Sequence, residues 1–175
     1  VTRPDRFAPS VVVVGDLMTD VVAVVDGPLA AASDTAARIT TYGGGSAANT
    51  AAWLAAADAD VTLIARRGAD RLGTAAEDEL RASGVRTRIA VDPLLPTGTC
   101  VVIVDPTGER TMLPDRAANR ALRPADLPAE EFRRGRHLHL SGYVVLDDVS
   151  RPVGVAALAA AESAGMSVSV DPSSA

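Results

Sequence analysis

The chain alternates short apolar runs with alanine-rich stretches, and that rhythm carries most of the fold. Residues 11–14 are four consecutive valines ending at Gly15-Asp16. A β-branched run without a polar position predicts a strand buried on both faces. Residues 21–25 predict a second strand, closed by the turn signal Asp26-Gly27-Pro28. Residues 36–42 alternate weakly and are polar enough for an exposed strand. After Gly43-Gly44-Gly45 the period becomes helical over 46–57, with Ala51, Ala52, Leu54 and Ala55 at close-packing positions. A strand at 61–65 follows, then a loop over 68–73 and a helix over 74–82 ended by Gly84. Strands are predicted at 86–91 and 99–104, joined through Pro93 and Pro96, and another near 110–113 after a turn at 106–109. Residues 114–119 read as irregular, 124–134 as a helix, 137–141 as a strand, 151–164 as an alanine-rich helix and 168–170 as a last buried strand.

Strand and helix in repeated alternation argue for a parallel sheet covered by helices, with right-handed crossovers. The additional strands, at about 21–42 and 86–104, interrupt the alternation. They predict a separate small sheet, projecting as a lid over the strand ends.

Composition narrows the picture. A chain of 175 residues fits one domain with a real core. Aromatic residues are only 3% of it, so Val, Ala and Leu must build that core. All 17 basic residues are arginine, set against 22 acidic ones for a net charge of −5. An acidic chain without basic clusters does not fit nucleic-acid binding, and one without lysine cannot build a P-loop. Cys100 is the sole cysteine and lies in an apolar run, which predicts a buried thiol and excludes an internal disulfide. No apolar run approaches the roughly 18–20 residues of a membrane span. Residues 1–10 carry Arg3, Asp5, Arg6 and two prolines where a signal peptide would be apolar, so a cytoplasmic protein without membrane partners is expected.

Candidate chemistry gathers at the glycine run. Three glycines let backbone approach a ligand, Ser46-Ala47-Ala48 opens a helix, and Asn49 offers both a donor and an acceptor. Such a corner suits a polyhydroxyl ligand or an anion. Gly43, Gly45 and Ala48 also satisfy G-x-G-x-x-A, a dinucleotide pattern, with Arg66-Arg67 where an NADP-binding protein wants positive charge. The strand before it is polar, however, and the buried strand lies some thirty residues earlier. Asp16 and Asp20 follow the first strand at its carboxyl end, where open α/β sheets place ligands. Asp20 is the candidate for two sugar hydroxyls, and Asp16 reads as structural. His137 and His139 share a strand face but lack a third ligand, so a structural role is expected. Asp147-Asp148 and Glu130-Glu131 read as solvated faces and helix ends, and Trp53 and the methionines as packing.

In order along the chain, these residues resemble the PfkB (ribokinase-like) carbohydrate kinases. Gly44-Gly45-Ser46-Ala47-Ala48-Asn49 is similar to the family's first signature, and residues 11–16 with Asp20 to its opening strand and substrate-binding Asp. Gly68–Gly73, Thr97-Gly98, Gly108-Glu109-Arg110-Thr111, His139-Leu140-Ser141-Gly142-Tyr143 and Val170-Asp171-Pro172 also match. The resemblance implies a three-layer α/β/α core with a mostly parallel sheet and a small β lid. It implies transfer of the ATP γ-phosphoryl to a sugar or nucleoside hydroxyl with Mg²⁺, and a possible homodimer through the lid. It assigns substrate binding to Asp20, Gly44, Gly45, Ser46 and Asn49, and adds Arg110, Arg116 and Asn119 from a stretch that in several members reaches substrate or phosphate. Ser46 is lysine in some ribose kinases, Met18 stands where they have asparagine, and Gly142 about where they have a glutamate, so the sugar stays open.

Phosphoryl transfer needs a base for the acceptor hydroxyl and stabilisation of the transferred group. The family supplies both from Asp-Thr-x-Gly-Ala-Gly-Asp, which is absent from residues 1–175, as is its Asn-x-x-Glu motif. The chain therefore reads as the amino-terminal part of one ribokinase-like domain, inactive alone, with the catalytic Asp expected beyond Ala175. A non-catalytic sugar-binding module and an NADP-binding protein are the alternatives.

Overall fold

The computed structural model describes residues 8–172; the polar opening segment through Phe7 lies outside the described residues. Five strands form one parallel sheet: β1 (Ser10–Val14), β4 (Asp60–Gly68), β5 (Arg86–Asp92), β8 (His137–Ser141) and β9 (Ser167–Asp171), in the order β5-β4-β1-β8-β9. β1 lies in the centre, pairing β4 on one side and β8 on the other. Its valines divide by parity. Val11 and Val13 pack under helices α1 (Ser46–Ala56) and α2 (Arg71–Ala82), while Val12 and Val14 join the cluster under α3 (Tyr143–Leu146) and α4 (Arg151–Ser163). One all-valine run thus feeds two cores, because successive side chains point to opposite faces. The α/β three-layer fold follows.

The second sheet has the order β3-β2-β6-β7, built from β2 (Met18–Val25), β3 (Ala37–Gly44), β6 (Gly98–Val104) and β7 (Arg110–Asp115). Met18, Cys100 and Val102 bury one of its faces. Of the strands predicted for the lid, 86–91 does not belong there. It is β5, parallel to β4 and reached through α2, the right-handed strand–helix–strand unit that keeps a chain in its own sheet. Its alternating polarity comes from Arg86 and Arg88, which reach Asp60 and Glu131 at the edge of the core sheet. The fourth lid strand is β7 instead.

Other differences have local causes. Residues 124–134 form two short 3₁₀ turns, Pro124–Asp126 and Ala129–Glu131. Pro128 has no N–H for a bond back to Pro124, and Leu127 before it is extended (φ −85°, ψ 109°). Glu131 is buried rather than solvated; Arg136, Arg88 and Thr62 hold it. Arg66, also buried, bridges Asp92 and Asp126. Paired and hydrogen-bonded in this way, buried charges tie the irregular connection to the sheet. Trp53 is 78% exposed on α1 and not packed. Val168 and Val170 of β9 are 42% and 47% exposed, so that strand is not buried. The predicted structural roles of Cys100, which is buried, and of the histidines agree with the structure. The ring nitrogens of His137 and His139 bond Ser167 and Ser169.

α2 begins at Arg71, earlier than its alanine pattern, because Asp70 caps it. Asp70 Oδ1 accepts from Gly73 N at 2.8 Å and from Thr97 Oγ1 at 2.7 Å, and Oδ2 accepts from Thr97 N at 2.7 Å. Burial raises the Asp70 pKa, but these donors outweigh it and hold the carboxyl below its usual range. One carboxylate therefore caps a core helix and pins the chain entering lid strand β6. Asp70→Ala is expected to destabilise the fold by about 1–3 kcal/mol. It should also speed amide hydrogen exchange at the start of β6 more than in β1, as read by mass spectrometry.

Candidate functional site

The carboxyl end of β1 feeds Gly15 and Asp16, and Asp16 organises the corner. Its Oδ2 accepts from Ser46 N at 2.8 Å, its Oδ1 from Ala47 N at 3.2 Å, and its backbone carbonyl from Ala48 N at 3.2 Å. Ser141 Oγ donates to Oδ1 at 3.2 Å. The first-turn N–H groups of α1 are thus satisfied by one residue thirty positions earlier, the charge lying where the helix dipole favours it. This corrects the expectation that those N–H groups face an incoming anion. Asp16 is structural, as its place in the sequence suggested.

Gly45 stands before α1 with φ +100°, and a Cβ there would lie 2.6 Å from the Asp16 carbonyl oxygen. Only glycine meets both demands. Gly43 and Gly44 are not loop; they are the last residues of β3, Gly44 pairing Met18. Asp20, two residues along β2, lies over Gly44 so closely that a Cβ would fall 2.3 Å from Asp20 Oδ1. Asp20 is half-buried, and no described residue donates a hydrogen bond to its carboxylate. Burial first, and the charge of Asp16 second, raise its pKa above the ordinary aspartate value. A half-buried acceptor without a donor, at the root of the lid, is poised for hydroxyl groups.

Asn49 lies one helical turn beyond Gly45 and lines a cavity of about 100 Å³ with Leu17, Gly43, Gly44 and Glu79. Asp20 is not among its walls, so Gly44 is what the two share. Ser46 Oγ points to Asp171 Oδ2 at 3.4 Å, across the strand ends. Arg116 and Asn119 line a second, much smaller cleft of about 20 Å³ with Gly15, Asp16 and Tyr143. Asn119 is a clamp: Leu17 N donates to its Oδ1 at 2.8 Å, and its Nδ2 donates to Leu17 O at 3.0 Å. That fixes the loop between Asp16 and Asp20. Arg110 is exposed and sits at the level of Val24, four residues from the Asp20 row. At roughly 3.3 Å per residue this is about 13 Å along the lid, so the structure does not bring Arg110 to the corner.

Sequence reasoning missed Tyr143, whose ring carries the Arg116 guanidinium 3.6 Å from its centroid, and the convergence of Asp171 on Ser46. Both residues fall in stretches that match the family, but nothing in local pattern announces their partners, since each meets its partner through sheet order. Arg66 and Arg67 are ion-paired to Asp92, Asp126 and Glu77, so the charge proposed for an NADP phosphate is already engaged. The N–H groups of α1 are occupied by Asp16, and no three His, Cys, Asp or Glu side chains gather to hold a metal among the described residues. No described helix is long and apolar enough to cross a membrane.

Comparison with known proteins agrees with this geometry. The family model "pfkB family carbohydrate kinase" matches residues 8–175. An ATP-dependent ribose-1-phosphate kinase of Halopiger xanaduensis is 35% identical over 132 residues, covering 74% of this chain and 42% of that protein. A fructokinase structure from Halothermothrix orenii superposes with TM-score 0.81 at 26% identity, covering 93% of this chain and 57% of that one. At 23% identity, the fructokinase of Xylella fastidiosa with bound ATP shares the fold, with TM-score 0.82 over 97% of this chain and 53% of that one. The chain spans about half the length of the relatives it matches. With its parallel core, four-stranded lid and diglycine corner, this chain belongs to the pfkB family of carbohydrate kinases.

Proposed function

We propose that this chain is the substrate-binding part of an ATP-dependent kinase that phosphorylates a hydroxyl of a sugar or sugar-like molecule. The observation that carries the reading is Asp20: an acceptor without a donor, held against Gly44 where the lid meets the carboxyl ends of the core strands. Asp20 would accept two vicinal hydroxyls, Gly44 would leave room for its carboxylate and Gly45 for the turn into α1, and Asn49 would close the far side. Asp16 and Asn119 hold the loop and helix that carry these groups. ATP, with Mg²⁺, is the phosphoryl donor implied by family membership, and the fructokinase with bound ATP supports it. No step through the nucleotide is assigned to residues 8–172. The same pocket serving as a non-catalytic sugar-binding module is the second reading. Ile39, Val101 and Leu113 lie together on the outer lid face, 64%, 36% and 55% exposed, and support a homodimer through that face.

Four measurements test the reading. Calorimetry with a sugar panel is expected to show binding that Asp20→Asn weakens by about 1–3 kcal/mol; unchanged affinity would remove Asp20 from the site. The same substitution should stabilise the free protein. The folded state raises the Asp20 pKa, so ionised Asp20 costs stability as pH climbs from the ordinary aspartate value through the raised one. Melting temperature should therefore rise in Asp20→Asn at pH 7 and match the parent at pH 3. An ATP-dependent phosphorylation assay on the 175-residue chain is expected to show no turnover, and robust turnover would defeat the view that the reactive machinery lies elsewhere. Leu113→Asp is expected to shift a dimer to monomer in sedimentation velocity.

A further inference from the structure

Strand β9 carries little apolar packing. Val168 and Val170 are exposed on one of its faces, and the other face is a polar row. Register sets that row residue against residue: His137 beside Ser167, His139 beside Ser169, and Ser141 beside Asp171. His137 Nδ1 lies 2.8 Å from Ser167 Oγ, and His137 Nε2 lies 2.7 Å from Ser169 Oγ. His139 Nδ1 lies 2.9 Å from the same Ser169 oxygen. One serine hydroxyl is thus shared by two imidazoles, at the seam that joins β9 to the sheet.

A count of protons shows how this row behaves. A serine hydroxyl donates once and accepts twice, and a neutral imidazole donates once and accepts once. With both rings neutral, all three bonds close when Ser167 donates to His137, His137 Nε2 donates to Ser169, and Ser169 donates to His139. A proton added to His137 reverses only the first bond, since Nδ1 then donates and Ser167 accepts. A second proton, on His139 Nδ1, makes Ser169 accept from both rings. The serine's own hydrogen then has no partner in the row, and two cations stand two residues apart on one strand face. The row therefore admits one proton without losing a bond and resists the next.

The surroundings give the second charge little relief. Across β8 the neighbours of the two histidines are Val11 and Val13 of β1. Helix α1, which packs against β8, carries no charged side chain. Asp16, near the end of the row, already accepts from Ser46 N, Ala47 N and Ser141 Oγ. Asp171 is the described acid that acts on His139. Burial outweighs it, His137 adds to the effect of burial, and the imidazole pKa is held below its ordinary value. The seam's stability is therefore complete above the ordinary histidine pKa and is lost as pH falls from there through the lowered one.

We infer that the β8–β9 seam is a pH-sensitive latch: it stays shut with no proton or one on the His137–Ser169–His139 row, and a second proton opens it, loosening β9 as far as Asp171 beside Ser46. The latch does not depend on the sugar-binding reading.

Hydrogen exchange on the 175-residue chain, read by mass spectrometry, tests it. Exchange of β9 amides is taken relative to β4 amides in the same sample, which cancels the chemical effect of pH. That ratio is expected to rise about tenfold between pH 7 and pH 5, within the tenfold per pH unit that uptake of one proton permits. His139→Gln should flatten the rise. His137→Gln should move it to lower pH, because the first charge is gone. Proton NMR of the ring hydrogens in the parent should show two separate protonation steps, His137 first. Melting temperature at pH 8 checks that the variants fold, and the parent measurements stand without them. A ratio that stays flat in the parent, a rise that persists unchanged in His139→Gln, or a first proton taken by His139 would each overturn the latch.

Discussion

One buried carboxylate holds this structure in order. Asp16 leaves the central strand, receives the opening N–H groups of α1 through both its side chain and its carbonyl, and takes a fourth donor from Ser141 at the end of the neighbouring strand. A helix beginning inside a protein must find acceptors for its first amides, and an unanswered amide is costly. Here the acceptor is charged, close and shared with β8. The position of α1, and with it of Gly45, Ser46 and Asn49, is therefore fixed relative to the sheet and not to solvent. Asp20 can be left without donors four residues on because Asp16 meets the helix's demand.

This division of labour between two nearby acids was half legible in the sequence. Position after a buried strand marked both as candidates, and the diglycine corner gave the neighbourhood. What separates them is the partner each finds, and that depends on how β3 returns beside β2 so that Gly44 meets Asp20. The core sheet was legible because four valines without a polar break admit only a two-sided environment. The 86–91 strand was misplaced because polarity at an edge, where Arg86 and Arg88 reach across to acids, looks locally the same as polarity in an exposed lid. Pro124 and Pro128 held a warning against a continuous helix that the charged residues around them obscured. Trp53 had no such signal; residue type argued for burial, and its helix turns that face outward.

The arginine-only composition also acquires a meaning. Arg136 contacts Ser10, Val11, Thr62 and Glu131 at once, and Arg66 bridges two aspartates. Such multi-point geometry needs a planar fork, and a lysine ammonium could not span the same set of acceptors. Charges that look like surface decoration in the sequence thus become struts where the sheet meets an irregular connection.

The two pins at the lid root, Leu17 with Asn119 and Asp70 with Thr97, lie on different chain crossings between the sheets. Together they make the lid a leaf clamped along its base, stiff where it joins the core and free at the outer turn around Gly108. Any bending is then smallest beside Asp20 and grows with distance outward. Sequence change at the far tip, Arg110 included, is mechanically remote from the corner, whereas a shift of an ångström at the base moves every ligand-facing group at once.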